Sequence, residues 1–420
     1  MTDAAAPLDA LSAAGPVARG SVARVGVATV ITAVCGYAVL YLAARDLDPI
    51  GFSIFGVFWG AFGLFTGAAN GLLQEATRDV RAAGHTGPTA GPQTRPMWVA
   101  AGVGAAAAAA IAASAPLWAA HVFAESTRLS VFLLAAGLAG FCLHATLLGM
   151  LAGAGRWTQY GSLMVTDAVI RVTVAVVAFF LGWGLVGFLW ATVAGAVAWM
   201  LVLVVSAGTR TAARMRTSVS VRGFLRGAAH SIAAAGASAI LVMGFPVLLK
   251  ATSGELGAEG GVVILAVTLT RAPLLVPLTA MQGNLIAYFV DHRAGRGARL
   301  RALIAPVAVV LAAGAVGVLG AALVGPWLLR AAFGPEYQAE GALLAWLTAG
   351  AVSVALLTLT GAAAVAAALH RAYSLGWIGA TVAATAILTL PMDLQTRTVL
   401  ALLCGPLVGI AVHTAALARR

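Results

Sequence analysis

GFSIFGVFWGAFGLFTGAANGLLQEATRDVR, residues 51–81, begins as an unbroken apolar run and ends among charges. From Gly51 to Leu73 it holds no ionisable side chain. As a helix, that length crosses a hydrocarbon core of about 30 Å. Past Leu73 come Gln74, Glu75, Arg78, Asp79 and Arg81, the composition of a membrane boundary. The rest of the chain is built the same way. Of its 420 residues 61% are apolar and 9% are charged, and the mean hydropathy is +0.97. Soluble chains carry about 25% charged residues, so a soluble globular protein is excluded. Disorder is excluded too, because it needs low hydrophobicity and high charge.

Working outward from 51–73, further apolar runs place spans at 25–43, 97–120, 129–151, 160–181 and 185–206. A second set falls at 228–249, 261–289, 302–324, 341–369, 374–390 and 398–417. The expected fold is an all-α polytopic membrane protein of twelve transmembrane helices, with no large extramembrane domain. Its expected place is the plasma or inner membrane. The first fifteen residues carry Asp3 and Asp9 and no positive charge, which is not a signal-peptide pattern. With Arg19 and Arg24 before the first span, the N-terminus is expected inside. The basic residues test this threading. Arg45, Arg128, Lys250, Arg330 and Arg397 fall outside, Arg171 and Arg271 fall within spans, and the other 18 of 25 fall inside. That is the cytoplasmic excess which sets orientation, and it puts both termini in the cytoplasm. The net charge of +11 therefore reflects topology, and no nucleic-acid partner is expected.

The longest cytoplasmic link, 207–222, holds Arg210, Arg214, Arg216 and Arg222 and separates six spans from six. The expected domains are a six-helix bundle over 1–206, the linker 207–222 and a second bundle over 223–420. The segments 51–81 and 261–293 echo each other. Each starts with glycine, runs apolar and ends in an acid–arginine pair, Asp79/Arg81 and Asp291/Arg293. A duplicated unit of this kind is common in transporters, with the binding site between the halves.

Several motifs carry chemistry. Gly63, Gly67 and Gly71 form a double G-x-x-x-G, a flat strip that lets another helix approach, and packing within the chain is its expected use. Asn70, Gln74 and Arg78 recur at every fourth position as one polar stripe, with Glu75 within reach of Arg78. Such a stripe lines a cavity, or else its lower half has left the membrane. Asp167 and Arg171 lie four apart in the fifth span and can neutralise each other. They are read equally as a structural pair and as candidates for ion coupling. Arg271 has no acid within one turn, and it precedes Pro273 and Pro277, which are expected to break the helical ladder. Gln282 is expected on the same face. An intramembrane Arg without a local partner either meets an anionic group such as phosphate or pairs with Asp167 of the other half.

Enzyme signatures fail. Gly182, Gly184 and Gly187 match G-x-G-x-x-G, but in a turn between two spans with no strand before it. The histidines lack metal-ligand spacing, no C-x-x-C joins Cys35, Cys142 or Cys404, and neither a metal nor a cofactor is expected. Asp46 and Asp48 form the one catalytic candidate, as a metal-binding acid pair of a glycosyltransferase, set against an ordinary turn before Pro49.

Leu47-Asp48-Pro49-Ile50-Gly51-Phe52, followed by Gly71-Leu72-Leu73-Gln74-Glu75-Ala76-Thr77-Arg78, resembles the entry and exit of the second helix in polysaccharide (O-antigen type) flippases. These belong to the multidrug/oligosaccharidyl-lipid/polysaccharide exporter superfamily. Gly325-Pro326-Trp327 through Tyr337 is similar to the family's late outer loop, and Thr270-Arg271-Ala272-Pro273 to its eighth-helix segment. The resemblance implies two six-helix bundles in a V around a central cavity. It also implies export of isoprenyl-pyrophosphate-linked oligosaccharide by alternating access, with Arg271 facing the pyrophosphate and Arg78, the matching exit arginine, either at a gate or in a structural role. Membrane lipids and glycan-assembly enzymes are the partners it implies. Many relatives have fourteen spans and more charged cavities, a departure here. The alternatives are a drug/cation antiporter of the MATE type, which wants cavity acids, and the glycosyltransferase.

Overall fold

A computed structural model describes residues 16–86, 93–123, 125–281, 285, 288–289 and 296–419. The N-terminal segment 1–15, Gln282, Asp291 and Arg293 lie outside these residues. Helices Pro16–Asp46, Pro49–Thr86, Pro96–Val122, Thr127–Gly153 and Trp157–Leu181 are the first five spans. The sixth runs Gly184–Ala194, tightens to a 3₁₀ turn at Gly195–Val197, and resumes at Ala198–Val205. Val221–Val242, Gly257–Ala280, Arg296–Leu323, Gly341–Ala366, His370–Leu388 and Leu394–Arg419 complete twelve. Eleven of these are long and apolar enough to cross a membrane, and only His370–Leu388 stands outside that group. The chain is thus a multi-pass integral membrane protein whose described residues form twelve spans in two bundles.

Loops meet loops of the side to which the basic residues assign them. At the cytoplasmic end Thr94 and Thr217 pair through two backbone hydrogen bonds of 3.0 and 2.9 Å, and Arg156 donates to the Gly208 carbonyl. At the outer end Arg397 donates to the Thr252 and Leu388 carbonyls and to Ser253 Oγ. Tyr337 Oη donates there to the Leu47 carbonyl at 3.0 Å. Large apolar side chains such as Val34, Phe180, Val205 and Val316 are exposed, as a lipid-facing surface requires and as a soluble protein would avoid.

Two expectations need correction. The seventh span does not occupy 228–249. It runs Val221–Val242, stops at Met243–Gly244, and the chain restarts as the short helix Phe245–Ala251 with Pro246 in its first turn. Pro273 and Pro277 do not break the eighth helix, which stays continuous from Gly257 to Ala280. The break lies in the neighbouring span.

The second span joins the two bundles. Its glycines face the second bundle, whose partner positions fall in number as those of the second span rise. A Cβ on Gly56 would overlap Ile264, one on Gly67 would lie 2.7 Å from the Ala239 Cβ, and one on Gly71 would overlap the backbone of Ser231 and Ile232. The double G-x-x-x-G is therefore the seam between bundles, as packing within the chain requires. Its outer end closes where Gly261 meets the Pro49 carbonyl and where Phe52, Phe333 and Tyr337 form edge-on aromatic pairs. Burial, with Glu336 and Asp48 nearby, pushes the Tyr337 phenol up from its usual range, so it stays a donor. Tyr337→Phe keeps the ring packing and removes the bond to Leu47. We expect the outer contact to loosen by about 1 kcal/mol, so that local opening becomes about fivefold more frequent. Impermeant thiol labelling of a cysteine at the buried Ser53, applied from outside, measures it; unchanged labelling would leave Tyr337 no part in closure.

Candidate functional site

The break in the seventh span creates an acceptor site. A helix leaves its last four carbonyls without intrahelical partners, and its C-terminus carries partial negative charge. Here the Met243 and Gly244 amides both turn back to the Ala239 carbonyl. Arg271, from the middle of the eighth span, takes the carbonyls beyond. Its Nη1 donates to Val242 at 3.0 Å and to Leu241 at 3.4 Å, and its guanidinium carbon lies 5.0 Å from the Phe245 ring centroid. Only 7% of Arg271 is exposed, and its Nε and Nη2 have no partner among the described residues. One edge of the fork is thus anchored to main chain while two charged donors stay unused. A buried cation with free donors has the chemistry of an anion receptor.

The other sequence-selected residues separate into groups. Asp167 takes two bonds from Arg171, Nε to Oδ2 at 3.0 Å and Nη2 to Oδ1 at 3.1 Å. Arg171 also donates to the Thr192 carbonyl and lies 5.3 Å over the Phe62 ring. This pair is complete within the first bundle, against Gly195 where the sixth span tightens. The salt bridge from Arg271 to Asp167 does not form; Asp167 is held by Arg171. Asn70 is half-buried, and Gln74 and Arg78 are exposed, so the polar stripe opens away from the seam. Arg78 turns back from it to Glu75 and Asp79. Gln282 lies outside the described residues and is not placed beside Arg271. Asp48 caps the second span, its Oδ1 accepting from the Gly51 amide at 2.7 Å. That is a turn residue's role, and it takes one of the two acids away from a metal pair. Gly182 and Gly184, both at positive φ, form the turn between the fifth and sixth spans, with no phosphate-loop geometry.

Sequence reasoning missed the carbonyls that hold Arg271. The available signal was Gly244-Phe245-Pro246, since proline is favoured at the first turn of a helix and cannot donate within one. It also missed that Glu75 and Asp79 are buried, at 1% and 3% exposure. The signal there was Gly227, whose missing Cβ leaves room for the Glu75 carboxylate.

The chain is similar to known proteins over more than nine-tenths of its length. It is 68% identical over 419 residues to the uncharacterized proteins Mb3654 of Mycobacterium bovis and Rv3630 of Mycobacterium tuberculosis, covering 99% of this chain and 96% of each. It is 67% identical over 406 residues to the uncharacterized protein Rv1510 of Mycobacterium tuberculosis, covering 97% of this chain and 93% of that one. No protein-family model matches. Among solved structures it is similar to an inward-facing multidrug resistance MATE family transporter of the MOP superfamily, with a TM-score of 0.66 at 16% identity over 92% of this chain and 96% of that one. An outward-facing structure of such a transporter gives 0.63 at 15% identity over 95% of each chain. The MATE multidrug transporter DinF-BH gives 0.64 at 13% identity over 97% of this chain and 96% of that one. At these identities the likeness is one of fold.

Proposed function

Because the chain belongs to one family with the mycobacterial proteins Rv3630 and Rv1510 and takes the fold of the MATE transporters, we propose that it is a transporter working by alternating access. We infer that its substrate is an isoprenyl-pyrophosphate-linked oligosaccharide, moved to the outer leaflet for polysaccharide assembly. The observation that carries this is Arg271. It is buried beside the seam at a helix break, bonded to no carboxylate among the described residues, and keeps two donors free. A pyrophosphate offers it oxygen acceptors and negative charge together. A MATE-type drug/cation antiporter is less well supported, because Asp167, the acid it would use, is fully engaged by Arg171. The glycosyltransferase loses Asp48 to helix capping.

The test uses purified protein in detergent and thermal shift with isoprenyl pyrophosphate, isoprenyl alcohol and a lipophilic cation as probes. Stabilisation is expected from the pyrophosphate alone. Arg271→Ala should weaken that binding by about tenfold to a hundredfold, the worth of one or two charge-assisted bonds. Arg271→Lys should keep part of it, as a point charge without the fork. Cells carrying Arg271→Ala should accumulate lipid-linked glycan in the inner leaflet. Stabilisation by the cation, with none by pyrophosphate, would transfer the assignment to the antiporter.

A further inference from the structure

Two buried carboxylates lie on the seam at its cytoplasmic end, and nothing in the transport of a glycan accounts for them. Glu75 and Asp79 are one helical turn apart on the second span, so they share a face. Their side chains are 1% and 4% exposed. Glu75 is pressed against the seventh span, where a Cβ on Gly227 would overlap its carboxylate. Four residues earlier, Gly71 makes the backbone contact with Ser231 and Ile232. The acids therefore belong to the contact that must part if the cytoplasmic side opens.

Their charge does not balance. Among the described residues the guanidinium that bonds them is that of Arg78, whose side chain is 64% exposed. It bonds Glu75 directly and reaches only Oδ1 of Asp79, at 3.4 Å; Oδ2 of Asp79 is buried with no partner among the described residues. From the seventh span the titratable group facing Glu75 is His230, whose Nδ1 is occupied by the Arg226 carbonyl. From the fourth span the neighbours at this level are Gly149 and Gly153, which meet Leu73, Ala76, Thr77 and Val80. One half-solvated guanidinium, with the His230 imidazole beside Glu75, thus stands against two buried carboxylates. An ionised carboxylate without its own partner is costly to bury, and two close acids do not both ionise readily. A proton shared by the pair removes the excess charge and gives the orphan oxygen a hydroxyl.

We propose that Glu75 and Asp79 are a proton-binding site that locks the cytoplasmic seam, and that opening this seam releases the proton. In the closed form one acid is neutral and the other is paired with Arg78. When the second and seventh spans part, water reaches both groups, and the neutral acid gives its proton to cytoplasmic water, leaving two carboxylates. Proton binding and closure are then linked: whatever favours the bound proton favours the closed seam by the same factor. The closed state holds more protons, so low pH favours closure and high pH favours opening. This rests on the alternating-access part of the reading above and not on the glycan.

The experiment reads the seam without any substrate. A cysteine at Ala228, which is 1% exposed, is placed in a background lacking Cys35, Cys142 and Cys404. Inside-out vesicles are labelled with a maleimide, and the rate is normalised to an exposed cysteine at Thr211 to remove the intrinsic pH dependence of thiols. The normalised rate should rise with pH, by up to about tenfold per unit for one linked proton. Asp79→Asn holds that site neutral and should give a low, pH-independent rate. Glu75→Gln leaves one acid for Arg78 and should also flatten the slope. Failure of the slope in the protein with both acids intact would overturn the proposal, even if neither variant folds. So would a slope unchanged in both variants, or opening governed by sodium at constant pH, which would mark a metal-cation site. If the slope appears while pyrophosphate fails to bind, the proton site stands and the substrate assignment falls.

Discussion

Gly71→Leu holds the cytoplasmic seam open. The expected result is saturated labelling at Ala228→Cys at every pH, with loss of the transport proposed above. The reason is the approach of two backbones. Even the first carbon of a side chain at 71 would overlap the main chain at Ser231 and Ile232. Main chain in a continuous helix cannot swing aside as a flexible side chain can, so the helices themselves must separate. Overpacking a close contact costs about 1–3 kcal/mol. A two-state equilibrium moves by a factor of ten for each 1.4 kcal/mol, so a shift of up to about a hundredfold is expected from this one site. The penalty falls on the closed state, because the open state separates the helices already. The protein should therefore still insert and purify. Gly36→Leu is the control, since a Cβ there meets nothing within 4 Å. Labelling of Gly71→Leu that matches the parent protein would remove the seam from the gating mechanism.

The parts of this arrangement differ in how far they can be read from sequence, for physical reasons. Spans are legible because a membrane helix must satisfy its backbone internally and present apolar side chains, so composition alone marks it. The Asp48 turn and the glycine strip were legible because both are local: a cap bonds three residues on, and G-x-x-x-G is a property of one helix face. The break at Met243–Gly244 is marked only by Gly244 and Pro246, because Leu241 to Leu249 holds no charge or strongly polar side chain across it. Pro273 and Pro277 misled because proline removes a ladder bond without obliging the helix to end. Arg271 and its carbonyl partners are about thirty residues apart, and any main-chain carbonyl looks the same in a sequence. The burial of Glu75 and Asp79 was hidden for a similar reason. Charges at the end of a span normally enter water, and only the neighbouring helix keeps water from these.

Arg171→Ala should destabilise the protein more than any other single change considered, and more than Asp167→Ala. The two residues sit near the middle of the fifth span, where an unpaired charge is expensive. Breaking a buried pair from one side costs about 3–5 kcal/mol, because the surviving charge keeps its burial and loses its partner. The two survivors are not equal. Without Asp167, Arg171 retains the Thr192 carbonyl and the face of Phe62. Without Arg171, Asp167 loses both of its hydrogen bonds and keeps as neighbours Gly195, which brings no side chain, and the buried imidazole of His144, which makes no hydrogen bond to it among the described residues. Thermal aggregation midpoints in detergent should therefore fall in the order parent, Asp167→Ala, Arg171→Ala. The double variant Asp167→Leu/Arg171→Met replaces both charges with apolar volume and should recover most of the loss, as removal of both members of a buried pair commonly does. Export by that double variant then separates structure from coupling. Activity near the parent level means that the pair only holds the fifth and sixth spans together. A stable double variant with no export would make Asp167 and Arg171 part of the transport cycle, and the pH slope at Ala228→Cys would show whether the Glu75–Asp79 lock still operates beside it.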